Sequence, residues 1–191
     1  MKKTAILIYD QFCSFEIGVA LELLALAGKP IMVFAKTPAV VRIEEGVSVL
    51  PDKTIDTLDP GEYDSLLLPG AADIRQATED EKTLDFIRLF DDPAFVIGAI
   101  SIAPVLLLKT GMLTGKKFMV GADREDLLEE GFTEADLSGM TGWSDNLLAP
   151  VEAGCIVSGN IVTSVSYNFV RWSLAFGEMI GIRIPPATFG L

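Results

Sequence analysis

The chain has 191 residues, 50% of them hydrophobic, and 15 Lys and Arg against 27 Asp and Glu give a formal net charge of -12. That charge repels phosphate backbones and anionic headgroups, which excludes nucleic acid and membrane surfaces as expected partners. There is no His, so no triad or dyad built on imidazole can form, and two distant Cys leave no recognisable zinc site.

A chain of this length fits one domain over residues 1–191, with an extended tail at about 182–191. Its mean hydropathy of +0.41 is high. The most apolar stretch, Phe95 to Leu108, is broken by Gly98, Ser101 and Pro104 and is too short for a membrane span, so the apolar excess belongs to a core or an oligomer interface. The apolar run Ala5 to Ile8 is too short for a signal peptide. Two cysteines, Cys13 and Cys155, form neither a disulfide framework nor a CxxC pair, which points to a reducing cytoplasm.

Thr4 to Tyr9 reads as a buried strand. Ile17, Leu21, Leu24 and Ala25 then share one helical face, with Ser14 as the expected cap and Gly28 and Pro30 as the stop. Ile31 to Ala35 is a second strand, and Val40 to Ile43 with Val47 to Leu50 forms a strand pair about Glu44, Glu45 and Gly46 near a sheet edge. Ser65 to Leu68 is a buried strand ending in the turn Pro69, Gly70, Ala71. Leu84, Phe86, Ile87 and Phe90 mark a helix, and Phe95 to Ile100 a strand that runs into Ser101. Pro104 to Leu108 continues as a helix to Gly111.

Phe118 to Val120 is a further strand, and Asp123 to Asp145 has no clear pattern. Ser158, Gly159 and Asn160 form a tight turn between strands at Cys155 to Val157 and Ile161 to Ser164. Phe169, Trp172, Phe176 and Ile180 share the stripe of a last helix, read as a core face and not a cofactor box. The acidic stretches Glu79 to Glu81 and Glu125 to Glu130 read as solvated surface, since neither has calcium-loop spacing. Trp143 fits either a pocket wall or a subunit contact.

Alternating strands and helices predict an α/β fold: a mostly parallel sheet covered on both faces, with ligands at the carboxyl ends of the strands. Three segments converge there: Asp10 to Glu16, Pro69 to Ala72, and Ser101 to Pro104. In Ala99-Ile100-Ser101-Ile102-Ala103, small residues stand two positions from the serine on each side, the steric requirement of a nucleophile elbow. Ile102 and Gly70 or Ala71 would then offer backbone N–H groups to an anion. The competing reading is a plain strand-to-helix turn carrying a small polar residue. An α/β-hydrolase is excluded because nothing replaces its histidine.

The ordered set of FEIGVALELL, YDSLLLPGA, VIGAISIAP, KTGMLTGKK and GNIVTS resembles the ThiJ/PfpI family of the class I glutamine amidotransferase-like superfamily, over nearly the whole chain. The resemblance implies a three-layer flavodoxin-like sandwich, commonly dimeric, with a cysteine at the elbow and a buried acid beside it. At the matching positions this chain has Ser101 and Glu16; Ile102 follows the elbow, and Ala71 replaces a glycine of the usual turn. Carried over by position, Ser101 is the nucleophile-site residue, Glu16 its hydrogen-bonding partner, and Gly70, Ala71 and Ile102 the oxyanion-type donors.

A serine hydroxyl is far harder to ionise than a thiol and needs a positioned base. Glu16 is the one obvious acid at hand, and burial would keep it protonated, as a donor to Ser101. Cys13 is placed at the same crevice, where it either replaces the lost thiol or is a half-buried apolar residue. The expected function is therefore small-molecule binding or regulation by a homodimer, without metal or cofactor. The alternatives are a hydrolase or hydratase/lyase of amidase, glyoxalase or deglycase type using Glu16 and Ser101, and a protein-interaction subunit with a vestigial site.

Overall fold

The computed structural model describes residues 1–141 and 153–191. Trp143, and with it the end of the unassigned polar stretch, lies outside the described residues. In chain order the elements are β1 (Lys3–Leu7), α1 (Phe15–Leu26), β2 (Ile31–Ala35), β3 (Val41–Arg42), β4 (Ser48–Val49), β5 (Lys53–Thr54) and β6 (Tyr63–Leu68). Then come α2 (Arg75–Thr78), α3 (Glu81–Arg88), β7 (Val96–Ile100), α4 (Pro104–Lys109), β8 (Phe118–Met119), α5 (Arg124–Glu129), β9 (Met140–Thr141), β10 (Ile156–Ser158), β11 (Ile161–Ser164) and α6 (Phe169–Met179).

The central sheet has seven strands in the order β10-β11-β7-β6-β1-β2-β5, parallel except for the β10–β11 hairpin. Its inner order β2-β1-β6-β7-β11 is the flavodoxin-like doubly wound order, with a switch point between β1 and β6. Strands β1, β6, β7 and β11 are buried on both faces, and successive side chains divide between two cores. Ala5, Leu7, Leu66, Leu68 and Ala99 face α3 and α4 together with Phe86 and Leu106. Ile6, Ile8, Leu67, Ile100 and Val162 face α1 and α6 together with Leu24, Trp172 and Phe176. The three-layer α/β sandwich expected from the sequence is what forms.

Several local expectations are corrected. In α1 the inward residues are Glu16, Ile17, Ala20, Leu23 and Leu24, while Leu21 is half-buried and Ala25 exposed. Contact with α6 turns the helix this way: a Cβ at Gly177 would lie 2.6 Å from a methyl of Leu23, so the two helices touch where Gly177 leaves room. Ser14 does not cap α1 with its side chain. The Glu45 carboxylate, arriving from the β3–β4 loop, accepts instead from the N–H groups of Ser14 and Phe15 at 3.3 and 3.1 Å and from the Ser14 hydroxyl at 3.1 Å.

The β3–β4 hairpin and the β8–β9 pair stand outside the main sheet. Asp80, expected on a solvated face, caps α3 through the Thr83 N–H and pairs with Lys36 at 2.7 Å. The tail holds one 3-10 turn at Pro186–Phe189, and Ile182, Ile184 and Phe189 pack on the α1–α6 core. Gly98 allows that core to close: a Cβ there would lie 2.9 Å from both Trp172 and Phe176. Among the described residues no helix is long and apolar enough to cross a membrane.

Candidate functional site

β7 ends at Ile100, and the next residue, Ser101, has φ of +61°, a conformation that costs an L-residue energy and persists only where the surroundings impose it. Two backbone bonds impose it here. The Ser101 N–H donates to the Ser164 carbonyl at the end of β11 (2.8 Å), and the Ser101 carbonyl accepts from Gly121 after β8 (2.6 Å). Gly121 must be small, since a Cβ would come within 3.1 Å of the Ser101 carbonyl carbon. The strand-to-helix elbow read from the sequence is therefore present as backbone geometry. Ser164 and Gly121 were missed because neither carries a chemical signature.

The hydroxyl at the elbow faces the switch point. A Cβ at Gly70 would lie 2.9 Å from Ser101 Oγ and 2.6 Å from Glu16 Oε2, which is why a glycine must stand there. The Gly70 N–H donates to Glu16 Oε2 at 2.6 Å. This corrects the expectation that Gly70 is a donor for a bound anion, because its N–H is already spent on the buried carboxyl. The N–H groups of Ala71 and Ile102 form no hydrogen bond with another group among the described residues. Both residues are half-buried.

Glu16 is 1% exposed. Burial pushes its pKa up to about 7, against the opposing pull of hydrogen bonds from Gly70 and Ser101, while the nearby carboxylates Glu44 and Glu45 push it further up. At neutral pH it is thus divided between acid and carboxylate. The sequence reading, which held it protonated, anticipated the direction.

Cys13 joins the site through its backbone, its N–H donating to the Gly70 carbonyl at 2.8 Å. Its thiol donates elsewhere, to Glu44 Oε2 at 2.6 Å. Burial first, then the Glu44 hydrogen bond and the surrounding carboxylates, hold this thiol far above the ordinary range for cysteine. The expectation that Cys13 shares the elbow crevice is corrected. Glu44 and Glu45, read as hairpin-turn residues, clamp the Cys13 loop and the start of α1. Tyr9 was also missed: its hydroxyl donates to the Pro69 carbonyl, next to Gly70.

A crevice of about 330 Å³ opens beside the elbow, walled by Ala71, Ile102, Gly121 and Leu127 and edged by Asp126 and Glu130. The stretch Glu125 to Glu130 lies on α5 and its C-cap with all four carboxylates exposed, as expected of a solvated surface, and Asp126 and Glu130 also edge this crevice. Ser101, Glu16, Gly70 and Cys13 are absent from its walls. The elbow hydroxyl stands beside Gly70 and Glu16, and the crevice is walled by the residue that follows the elbow, Ile102.

The comparisons agree with this geometry. A sequence model of the DJ-1/PfpI family matches residues 2–176. The chain is 32% identical over 118 residues to protein/nucleic acid deglycase 2 of Escherichia coli, covering 61% of this chain and 69% of that one. It is 28% identical over 165 residues to the putative cysteine protease YraA of Bacillus subtilis, covering 85% and 88%. Among solved structures, the DJ-1 superfamily protein Atu0886 of Agrobacterium tumefaciens superposes with a TM-score of 0.80 at 19% identity, covering 99% of this chain and 95% of that one. Elbow, switch-point acid and strand order thus sit in a sequence matched almost end to end: the chain belongs to the DJ-1/PfpI family.

Proposed function

We propose that this chain binds a small molecule at the elbow crevice without covalent chemistry, with Ala71 and Ile102 as backbone donors. One observation carries the reading: Ser101 is not among the crevice walls, and its hydroxyl stands beside Gly70 and acts on the Glu16 carboxyl by a hydrogen bond. A carboxyl of pKa about 7 can order that hydroxyl but is a weak base for ionising it. The one cysteine close by, Cys13, is locked as a thiol on Glu44. A homodimer working in a reducing cytoplasm belongs to the same proposal, tested by sedimentation and fractionation.

Several curated relatives carry the name deglycase, which sets the assay. Purified protein is offered glycated amines and thiols, esters and amides at neutral pH. No turnover above buffer is expected; turnover that vanishes in Ser101→Ala would overturn the proposal.

A second reading rests on Glu16 alone. A carboxyl near pKa 7 suits general acid–base work, so a hydratase or lyase in which Glu16 moves a proton through Ser101 is the alternative. It requires activity that follows an ionisation near pH 7 and is abolished by both Glu16→Gln and Ser101→Ala.

A further inference from the structure

A larger cavity, of about 550 Å³, lies at the carboxyl ends of β1 and β2 and shares no wall residue with the elbow crevice. Leu7, Ala35 and Ala77 supply buried apolar surface, and Val40 and Val41 come from the β3 side. Its size and mixed lining are those of a small-molecule site. The charges in its wall are unequal: Asp10, Glu79 and Asp80 stand against Lys36. Lys36 is already paired with Asp80 at 2.7 Å. Asp10 and Glu79 have no ion-pair partner within the described residues. Arg75 acts on Glu79 by charge at longer range, and its guanidinium is bound by the Asp73 carboxylate.

We infer that this cavity is a second ligand site, for a compound that joins an ammonium group to a compact apolar body. The apolar part would rest on Leu7, Ala35 and Ala77, and the ammonium would face Asp10 and Glu79. Anionic ligands are disfavoured by three carboxylates against one ammonium in the wall. Tyr9 lines this cavity while its hydroxyl bonds to Pro69, next to the Gly70 N–H that holds Glu16. Occupancy would therefore be sensed at the elbow through one side chain.

The probe is 2-phenylethylamine, titrated into the ¹⁵N-labelled full chain, with 2-phenylethanol and 3-phenylpropionate as neutral and anionic counterparts. Saturable amide shifts are expected for the amine at Asp10, Lys36 and Ala77, with binding of the anion at least tenfold weaker. Asp10→Asn with Glu79→Gln should weaken the amine about five- to tenfold, the value of two exposed charge contacts. Ala39→Trp, at an exposed position on the rim, should block it, and the spectrum of each variant reports that it is folded. The inference is overturned if the amine gives no saturable shift, if the anion binds equally well, if the shifts centre on Ala71 and Ile102, or if folded Ala39→Trp binds unchanged.

Discussion

Replacing Glu16 with glutamine separates the two forces acting on the buried carboxyl. Burial and the neighbouring carboxylates raise its pKa from 4.5 to about 7, while the Gly70 and Ser101 hydrogen bonds pull it down. If burial wins, the unfolded chain releases this proton first as pH rises. Stability then falls between about 4.5 and about 7 and levels off above that window. The penalty amounts to about 1 kcal/mol at pH 5 and about 3 kcal/mol by pH 8. Glutamine resembles the protonated acid and carries no such penalty, so Glu16→Gln should be the more stable protein by about 3 kcal/mol at pH 8 and by about 1 kcal/mol at pH 5. In a chain of this size about 3 kcal/mol corresponds to about 6–12 °C in Tm. Urea unfolding of both proteins at four pH values, taken as a difference, cancels every other titrating group. A difference that stays constant with pH would show that the hydrogen bonds offset burial, and a wild type that gains on the variant as pH rises would show that they outweigh it; either result would refute the reasoning.

Gly98→Ala should destabilise by about 1–3 kcal/mol in denaturant unfolding, because the new methyl meets Trp172 and Phe176 at 2.9 Å inside a packed core. Gln11, exposed and held at φ of +58°, should gain up to about 1 kcal/mol when replaced by glycine, measured the same way. Glu45→Ala removes the carboxylate that holds the first N–H groups of α1 and should cost about 1 kcal/mol, read from its melting temperature. Cys13 should react with iodoacetamide more slowly than an unstructured thiol at pH 8, and Glu44→Ala should speed the reaction; mass-spectrometric labelling rates check both.

Residue patterns reached a long way into this fold. The short apolar runs at β1, β6 and β7, set between helical stripes and turn residues, describe strands buried on both faces. A parallel α/β sandwich follows from them, because connections between parallel strands need helices and those helices need a sheet face to cover. The same reading located the elbow, since small residues flanking Ser101 are a local steric requirement that chain spacing reveals. The missing histidine removes imidazole chemistry on composition alone.

Contacts made at long range were not legible. Leu21, Leu23 and Ala25 are all apolar, so composition cannot say which faces inward; Leu23 does because Gly177 of α6 leaves a gap at that height. Whether Gly70 offered its N–H to a ligand or to Glu16, and whether the Cys13 thiol met the crevice or Glu44, depended on where loops far apart in sequence come together. The sequence by itself determined the sheet, the kink at Ser101 and the lack of an imidazole base, because each follows from residue type and local spacing. Tertiary structure alone decided which donors remain free, how far Glu16 is desolvated and where the cavities open. Those properties arise from atoms that become neighbours only when the chain closes on itself.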